Sequence, residues 1–225
     1  MSQETMPVHA PASRRYAGAS AQERQTQRRE RLLDAAFDVF GREGYRHTTM
    51  RLICAQARLT ERYFYEHFAT IDEVFIAVHK RLSAEVGQRI MVQTMAHMDD
   101  PIAQTRAGLR AFFEYIKEDP RRAQILLNDA VTTGLTNPRN INAKVSQYAE
   151  LLKARFKMRY PHLSVPLDVD LIVGGFVGMV IHTASVWAQR GFDTPIESLV
   201  DHNVYAWIGL HQWLSAHDKL EITTL

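Results

Sequence analysis

The sequence contains one cysteine, Cys54, among its 225 residues. A single cysteine cannot form an intramolecular disulfide, and this composition is typical of proteins that work in a reducing cytosol. The ten histidines never lie three or four positions apart, so no predicted helix presents a pair of them to a metal ion. The sequence also lacks nucleophile-elbow, phosphate-loop and paired-carboxylate motifs. It therefore gives no reason to expect an enzyme, a metal site or a cofactor.

The N-terminal residues lack the apolar segment of a secretory signal, so we expect a cytoplasmic protein. One stretch, residues 171–188, has 18 residues without a formal charge and reaches the lower limit for a membrane-spanning helix. His182, Thr183 and Ser185 interrupt this stretch, and no comparable second span accompanies it. We therefore expect a buried helix of a soluble protein here, and no membrane partner.

Lysine is absent from the first 70 residues, where eleven arginines and eight acidic residues give an excess of +3. The remaining residues carry 16 basic and 17 acidic side chains, an excess of −1. Six of the arginines fall within residues 14–31, which contain only two glutamates. This basic N-terminal part favours a phosphate-rich partner, although a solvated charged helix face would have the same composition.

Two short helices with a tight turn are predicted in residues 47–68. Thr48 and Thr49 precede the first helix, whose apolar residues recur at helical spacing. Arg58 lies at the turn, and Thr60 precedes the second helix. The polar residues that this second helix leaves outside are Glu61, Arg62, Tyr63 and Glu66. The pattern indicates either a DNA-binding helix-turn-helix or an ordinary surface hairpin of two helices.

The rest of the chain also reads as helices, with no alternating strand pattern, so the predicted fold class is all-α. Residues 1–20 lack periodicity and are predicted to be a disordered tail. A helix from about residue 22 is expected to end at Gly41 and Gly44 and to complete a three-helix unit over residues 21–70. Residues 71–225 are predicted to form a further set of helices, separated by breaks that contain Asp-Pro or Gly.

The last two predicted helices, about residues 167–190 and 195–216, have more apolar surface than one core-facing side requires. The first of them contains Gly174, Gly175 and Gly178, and small residues at this spacing allow two helix backbones to approach closely. We expect a homodimer in which these helices form a four-helix interface. The alternative is that they are entirely part of the core of one chain.

The string TTMRLICAQARLTERYFYEHFATIDEVF, residues 48–75, resembles the TetR family of bacterial transcriptional regulators. The resemblance implies an N-terminal three-helix DNA-binding domain with a helix-turn-helix, followed by a helical-bundle domain for ligand binding and dimerisation. It also implies a homodimeric repressor that binds a palindromic double-stranded DNA operator and is released by a small apolar or amphipathic effector. Arg58 and Ile71 depart from the family's usual glycine and lysine. They leave open an adaptor that acts through a protein partner and has lost operator binding.

The resemblance also implies roles for individual residues. The arginine forks of Arg51 and Arg62, with Tyr63, are candidates for base edges, and a guanidinium suits guanine. Tyr65 and His67 match family positions that usually contact phosphates, and the threonines at the helix N-termini can bind phosphates too. The glutamate of the second helix either accepts from a cytosine amine or complements the helix dipole. The predicted DNA-binding residues are Thr48, Thr49, Arg51, Thr60, Glu61, Arg62, Tyr63, Tyr65 and His67.

In similar proteins the effector pocket lies between helices of the C-terminal domain. An aromatic and methionine-containing lining suits an apolar or amphipathic ligand. The alternative for each of these residues is ordinary core, and His182 is either a core histidine or a ligand contact. The predicted ligand-binding residues are Phe112, Tyr115, Tyr148, Leu152, Phe176, Met179 and His182.

Overall fold

The computed structural model of the chain describes residues 20–129, 153–154, 156–161 and 168–217. Regular secondary structure in these ranges is helical, and no strand occurs among them. The all-α prediction is therefore confirmed. The predicted tail, apart from Ser20, lies outside the described residues, as does much of the predicted helical region between residues 130 and 167.

The described elements with defined bounds are eight α-helices, a 3-10 turn and a π-helical segment, and residues 153–154 and 156–159 are helical as well. The helices of the N-terminal part are α1 (Ala21–Glu43), α2 (Met50–Ala57), α3 (Glu61–Tyr65) and α4 (Ile71–Met95). Those that follow are α5 (Pro101–Glu118), α6 (Pro120–Ala123), α7 (Val169–Gln189) and α8 (Ile196–His217). The 3-10 turn is Tyr45–His47 and the π-helical segment is Gln124–Asp129.

Helix α1 begins at a capping box, in which Ser20 and Glu23 each bond to the other's backbone N–H. It ends at Gly44, whose φ of 74° favours glycine. The prediction that Gly41 also helps to end the helix is wrong. Gly41 lies within α1, where a Cβ atom would be only 2.4 Å from Cβ of Arg121 in α6. This glycine is needed for the close packing of α6 on α1.

The first core joins α1, α2 and α3 to the N-terminal half of α4. Phe40 meets Phe75 edge to face, with ring centroids 5.2 Å apart. Phe37 is only half-buried at the edge of this core, and the guanidinium of Arg121 lies 4.6 Å from the centroid of its ring. The fully or almost fully buried members include Leu32, Phe40, Ile53, Phe64, Phe68, Val74, Phe75 and Val78. Bulky aromatic residues thus give this small unit a sufficient core.

A second core lies between α5, α6, α7 and α8. Its centre is the edge-to-face contact of Phe113 with Trp187, whose ring centroids are 5.7 Å apart. Helices α5 and α8 run antiparallel, since Arg106 pairs with Asp201 and Arg110 with Glu197, each at 2.6 Å. This pairing places the end of α8 beside the start of α5.

Helix α7 is long and apolar enough to cross a membrane by length and composition alone, which for a single helix is weak evidence. Only 17% of its most apolar stretch is buried within this chain, so much of its apolar surface is open. One face lines a cavity described below. The opposite face is open, with Leu171 74% exposed and no atom within 4 Å of a Cβ placed on Gly174, Gly175 or Gly178.

Candidate DNA interface and effector cavity

Helices α2 and α3 form a helix-turn-helix. The hydroxyl of Thr49 caps α2 by accepting from the Leu52 N–H at 3.3 Å. Arg58 ends this helix in the left-handed region, with φ 52° and ψ 46°, as its position at the turn predicts. A non-glycine residue there costs about 1 kcal/mol, which the surrounding core evidently supports. Helix α3 then begins after Thr60.

Side chains from α1 hold the two helices in place. Arg31 donates to the carbonyl oxygen of Ala57 at 2.7 Å, which satisfies the C-terminal end of α2. Asp38 accepts from the side-chain amide of Gln56 in the same helix at 2.9 Å. The buried Phe64 packs α3 against the first core. The unit therefore presents the polar face of α3 to solvent on a fixed support.

The predicted base-reading arginines are freely accessible. The side chains of Arg51 and Arg62 are each 86% exposed, and each makes only a loose ion pair of 3.4 Å, with Glu61 and Glu66 respectively. Exposed ion pairs of this kind contribute little, so either guanidinium can exchange its partner for a nucleic-acid group. Tyr65 is also exposed, at 60%.

The three predicted threonines differ in what their hydroxyls do. Thr60 is exposed and its hydroxyl makes no capping hydrogen bond, whereas the exposed Thr49 already caps α2. Thr48 is buried and donates to the carbonyl oxygen of Gly44 at 2.8 Å. The expectation that Thr48 lies on the accessible face is therefore corrected.

Tyr63 and His67 are both half-buried. The guanidinium of Arg28 lies 4.6 Å from the centroid of the Tyr63 ring, which leaves less of that ring for a groove. Nε2 of His67 is buried and has no hydrogen-bond partner, and burial is the main reason that the pKa of His67 is lowered. The imidazole is therefore neutral at pH 7 and brings no charge to a phosphate.

A cavity of about 570 Å³ lies between α4, α5, α7, α8 and the π-helical segment. Its volume falls within the range usual for small-molecule sites. The apolar residues of its lining include Val86, Ile90, Leu109, Phe112, Phe156, Phe176, Val177 and Trp207. Such a surface binds a ligand mainly by removing apolar groups from water.

Three of the seven predicted pocket residues, Phe112, Phe176 and Met179, line this cavity. Tyr115 is buried outside it and donates to Glu85 at 2.8 Å, an interaction that, after burial, helps to raise the pKa of Tyr115. His182 is exposed and also lies outside the lining. The prediction that Tyr115 and His182 line the pocket is therefore corrected. The predicted residues Tyr148 and Leu152 lie outside the described part of the chain.

Sequence reasoning missed the polar residues of the lining, among them His79, Asn203 and Arg159. His79 is 7% exposed, and burial lowers its pKa to about 4. Asn203 is 2% exposed, and Arg159 carries a charge. His79 follows Val78 within the apolar stripe of α4, so helical spacing alone places it among the inward-facing residues. No comparable sequence pattern identifies Arg159 as a lining residue.

The π-helical segment connects the cavity to the first core. Ile125 is fully buried in the core of the helix-turn-helix unit, whereas the next two residues, Leu126 and Leu127, line the cavity. Beside it, Arg121 of α6 binds both Asp119 and Asp38, at 2.7 and 2.5 Å. Since π-helical turns are frequent at functional sites, this segment is well placed to transmit a change in the cavity.

The described residues contain no group of three His, Cys, Asp or Glu side chains that could hold a metal ion. Cys54 is buried, and its burial raises the pKa of the thiol. A protonated and inaccessible thiol is a poor nucleophile, which favours a packing role for this cysteine.

Comparison with known proteins gives one family and several relatives. Residues 32–78 match the model of "Bacterial regulatory proteins, tetR family". The HTH-type transcriptional activator FasR of Mycolicibacterium smegmatis is 29% identical over 194 residues, which are 82% of this chain and 83% of that protein.

Solved structures share the fold. The regulator FadR from Bacillus subtilis, in complex with stearoyl-CoA, superposes with a TM-score of 0.67 at 17% identity, over 78% of this chain and 95% of that one. The fatty acid degradation regulator FadR from Bacillus halodurans gives a TM-score of 0.66 at 18% identity, over 79% of this chain and 93% of the other.

Proposed function

We propose that this chain is a transcriptional regulator of the TetR family, whose model residues 32–78 match. In this proposal it binds a palindromic operator as a homodimer and releases it when an apolar or amphipathic effector fills the cavity. The observation that carries this proposal is the π-helical segment, which joins an apolar cavity to the core beneath the helix-turn-helix. We further propose that the protein is a cytoplasmic repressor with residues 21–70 as its DNA-binding domain and 71–225 as its effector-binding domain.

On DNA we propose that Arg51 and Arg62 read base edges in the major groove. Both guanidinium groups are almost fully exposed on the outer side of the helix-turn-helix. Thr49, Thr60 and Tyr65 are proposed to contact phosphates, because each is exposed and carries a hydroxyl group. Glu61, Tyr63 and His67 are proposed as secondary contacts that shape the edge of this surface.

The proposed effector carries an acyl chain. FadR from Bacillus subtilis was solved with stearoyl-CoA, and the largely apolar lining of this cavity suits a hydrocarbon chain in the same way. Each methylene group that moves from water into such a cavity contributes roughly 0.8 kcal/mol, close to a fourfold gain in affinity. Affinity is therefore expected to rise with chain length until the cavity is full.

Effector binding is proposed to act through Leu126 and Leu127. A ligand that displaces these cavity-lining side chains also shifts Ile125, which is embedded in the first core. Release of DNA requires that the effector bind the DNA-incompetent arrangement more tightly than the competent one. An effector with equal affinity for the two arrangements would change nothing.

The proposed dimer interface is the open face of α7 together with the outer face of α8. The three exposed glycines of α7 permit a close helix approach, and α8 adds Tyr205 and Trp213, which are 63% and 41% exposed. A second copy covers apolar surface that would otherwise face water.

A gel-shift assay with the DNA upstream of the protein's own gene tests operator binding. Substitution Arg62→Ala should relax base preference, whereas Tyr65→Phe should weaken binding to all sequences by a similar factor. Arg190→Ala is the matched control, because Arg190 is exposed at the far end of α7. Salt-insensitive binding, or no binding to any fragment, would rule out the proposal. The adaptor alternative has no observation in its favour, since the helix-turn-helix accommodates Arg58.

A further inference from the structure

Among the described residues that line the cavity, Arg159 is the one with a formal charge at neutral pH, and none of them carries a carboxylate. The other polar groups of this lining are neutral, and several bond within the protein. Asn203 donates to the carbonyl oxygen of Leu199 at 2.8 Å, and the Thr94 hydroxyl donates to that of Met91 at 3.0 Å. His79 is kept neutral by burial. A charged ligand group therefore has one electrostatic partner in this lining.

Among the described residues, the guanidinium of Arg159 has no ion pair or hydrogen bond. Other arginines of the same helical bundle are paired at short distance. Arg89 binds Glu118 through two bonds of 2.6 Å, and Arg110 binds Glu197 at 2.6 and 2.8 Å. Arg159 is exposed, so its charge stays hydrated at the edge of the cavity and is available to an incoming anion.

The backbone that carries Arg159 is fixed by its neighbours. Phe156 and Tyr160 are buried against Leu214 of α8, and the Tyr160 hydroxyl is 2.5 Å from Nδ1 of His211. This contact places Arg159 beside the last turns of α8. Because α8 runs antiparallel to α5, that end of the cavity is also where Pro101 begins α5.

The cavity therefore has two different ends. His79 marks the end nearest the helix-turn-helix, because its ring lies 6.3 Å from that of Phe75 in the first core. Thr94 lies fifteen residues later on α4, at the end where α5 begins. Its backbone carbonyl oxygen accepts from the side-chain amide of Gln104 at 3.3 Å. Fifteen residues of α-helix rise about 22 Å, so the cavity is long. At this far end, the buried indole N–H of Trp207 has no hydrogen-bond partner.

We infer that Arg159 binds the anionic head group of an amphipathic effector whose chain runs from this edge towards His79. The inference rests on the proposed function and names the chemistry of its ligand. A guanidinium pairs well with either a carboxylate or a phosphate. An anion deeper inside would lose its hydration without gaining a cation, which is unfavourable. The head group therefore stays at the edge, and the chain enters the apolar part.

Displacement of the neutral dye Nile red from the full-length protein tests this assignment. Three probes share one chain and differ in the head group: dodecanoate, dodecanoyl-CoA and 1-dodecanol. Arg159→Gln should weaken one or both anionic probes by roughly three- to tenfold and leave 1-dodecanol within about twofold. The loss should shrink as salt rises, and Arg159→Lys should restore part of it. Arg190→Gln, which removes an exposed arginine outside the lining, should change neither class.

The pattern of losses identifies the head group. A loss for dodecanoate places a carboxylate at Arg159, whereas a loss restricted to dodecanoyl-CoA places a phosphate there, and both support the inference. Equal loss for 1-dodecanol, or no loss for either anion while all three probes bind, overturns it and leaves the proposed function intact. If none of the probes binds the unaltered protein, the acyl effector and the inference both fail.

Discussion

Substitution of Gly41 by alanine tests the close packing of α6 against the DNA-binding unit. A Cβ atom at this position would lie 2.4 Å from Cβ and 2.8 Å from Cγ of Arg121. The first of these atoms is next to the backbone and cannot swing away. Ordinary contact begins near 3.4 Å, so α6 must move about 1 Å away from α1.

The expected cost follows from two opposing effects. Overpacking of this kind destabilises a protein by about 1–3 kcal/mol, while alanine in place of a helical glycine contributes up to about 1 kcal/mol. Gly87→Ala is the matched control, because Gly87 lies in α4 with no atom within 4 Å of a Cβ. The difference between the two variants isolates the steric cost.

Thermal unfolding followed by circular dichroism measures that difference. For a chain of this size about 1 kcal/mol corresponds to roughly 2–4 °C in Tm. The Gly41→Ala variant should therefore unfold roughly 2–12 °C below Gly87→Ala, since their steric difference is about 1–3 kcal/mol. Equal melting temperatures for the two alanine variants would refute the close approach of Arg121 to α1.

Three further substitutions test other parts of the account. Arg58→Gly should raise Tm by roughly 2–4 °C, because glycine adopts this left-handed backbone without the cost of about 1 kcal/mol; an unchanged or lower Tm would contradict this. Burial lowers the pKa of His79, so the unfolded chain binds a proton on this imidazole at a higher pH than the folded chain does. The contribution of His79 to stability is therefore complete above pH 6.5 and is lost as the pH falls towards about 4. Urea unfolding should show a loss of about 3 kcal/mol over this window that His79→Gln removes, and an unchanged profile would argue against a neutral buried imidazole. Gly178→Arg should leave the monomer folded, since nothing lies within 4 Å of its Cβ, but should abolish the proposed dimer in light scattering; a dimer that persists would exclude this face.

The helix-turn-helix was predictable because its determinants are local. The spacing of Ile53, Phe64 and Phe68 sets the buried face, and Gly44 ends α1 with a backbone that suits glycine. The left-handed Arg58 was also predictable, since the turn between the two helices requires that backbone whatever residue occupies it. Each of these features depends on residues that are close in sequence.

Features that depend on distant contacts were not predictable. Gly41 looked like a helix end, because its real neighbour, Arg121, lies in a helix far along the chain. Helix α7 is apolar on all faces, so periodicity could not tell the cavity face of Phe176 from the open face of His182. Tyr115 was assigned to the pocket for its aromatic character, although its hydroxyl is bound to Glu85 behind the lining.

The central claim is that occupancy of the cavity controls the helix-turn-helix. Fluorescence anisotropy of a labelled upstream DNA fragment, titrated with dodecanoyl-CoA at constant protein concentration, tests this claim most directly. We expect DNA to be released as the cavity fills. Leu126→Ala should weaken this response without abolishing binding of free protein to DNA, since Leu126 lines the cavity and packs against the first core. If the ligand displaces Nile red but the DNA affinity stays constant, the cavity and the DNA-binding surface are not coupled, and the account is wrong.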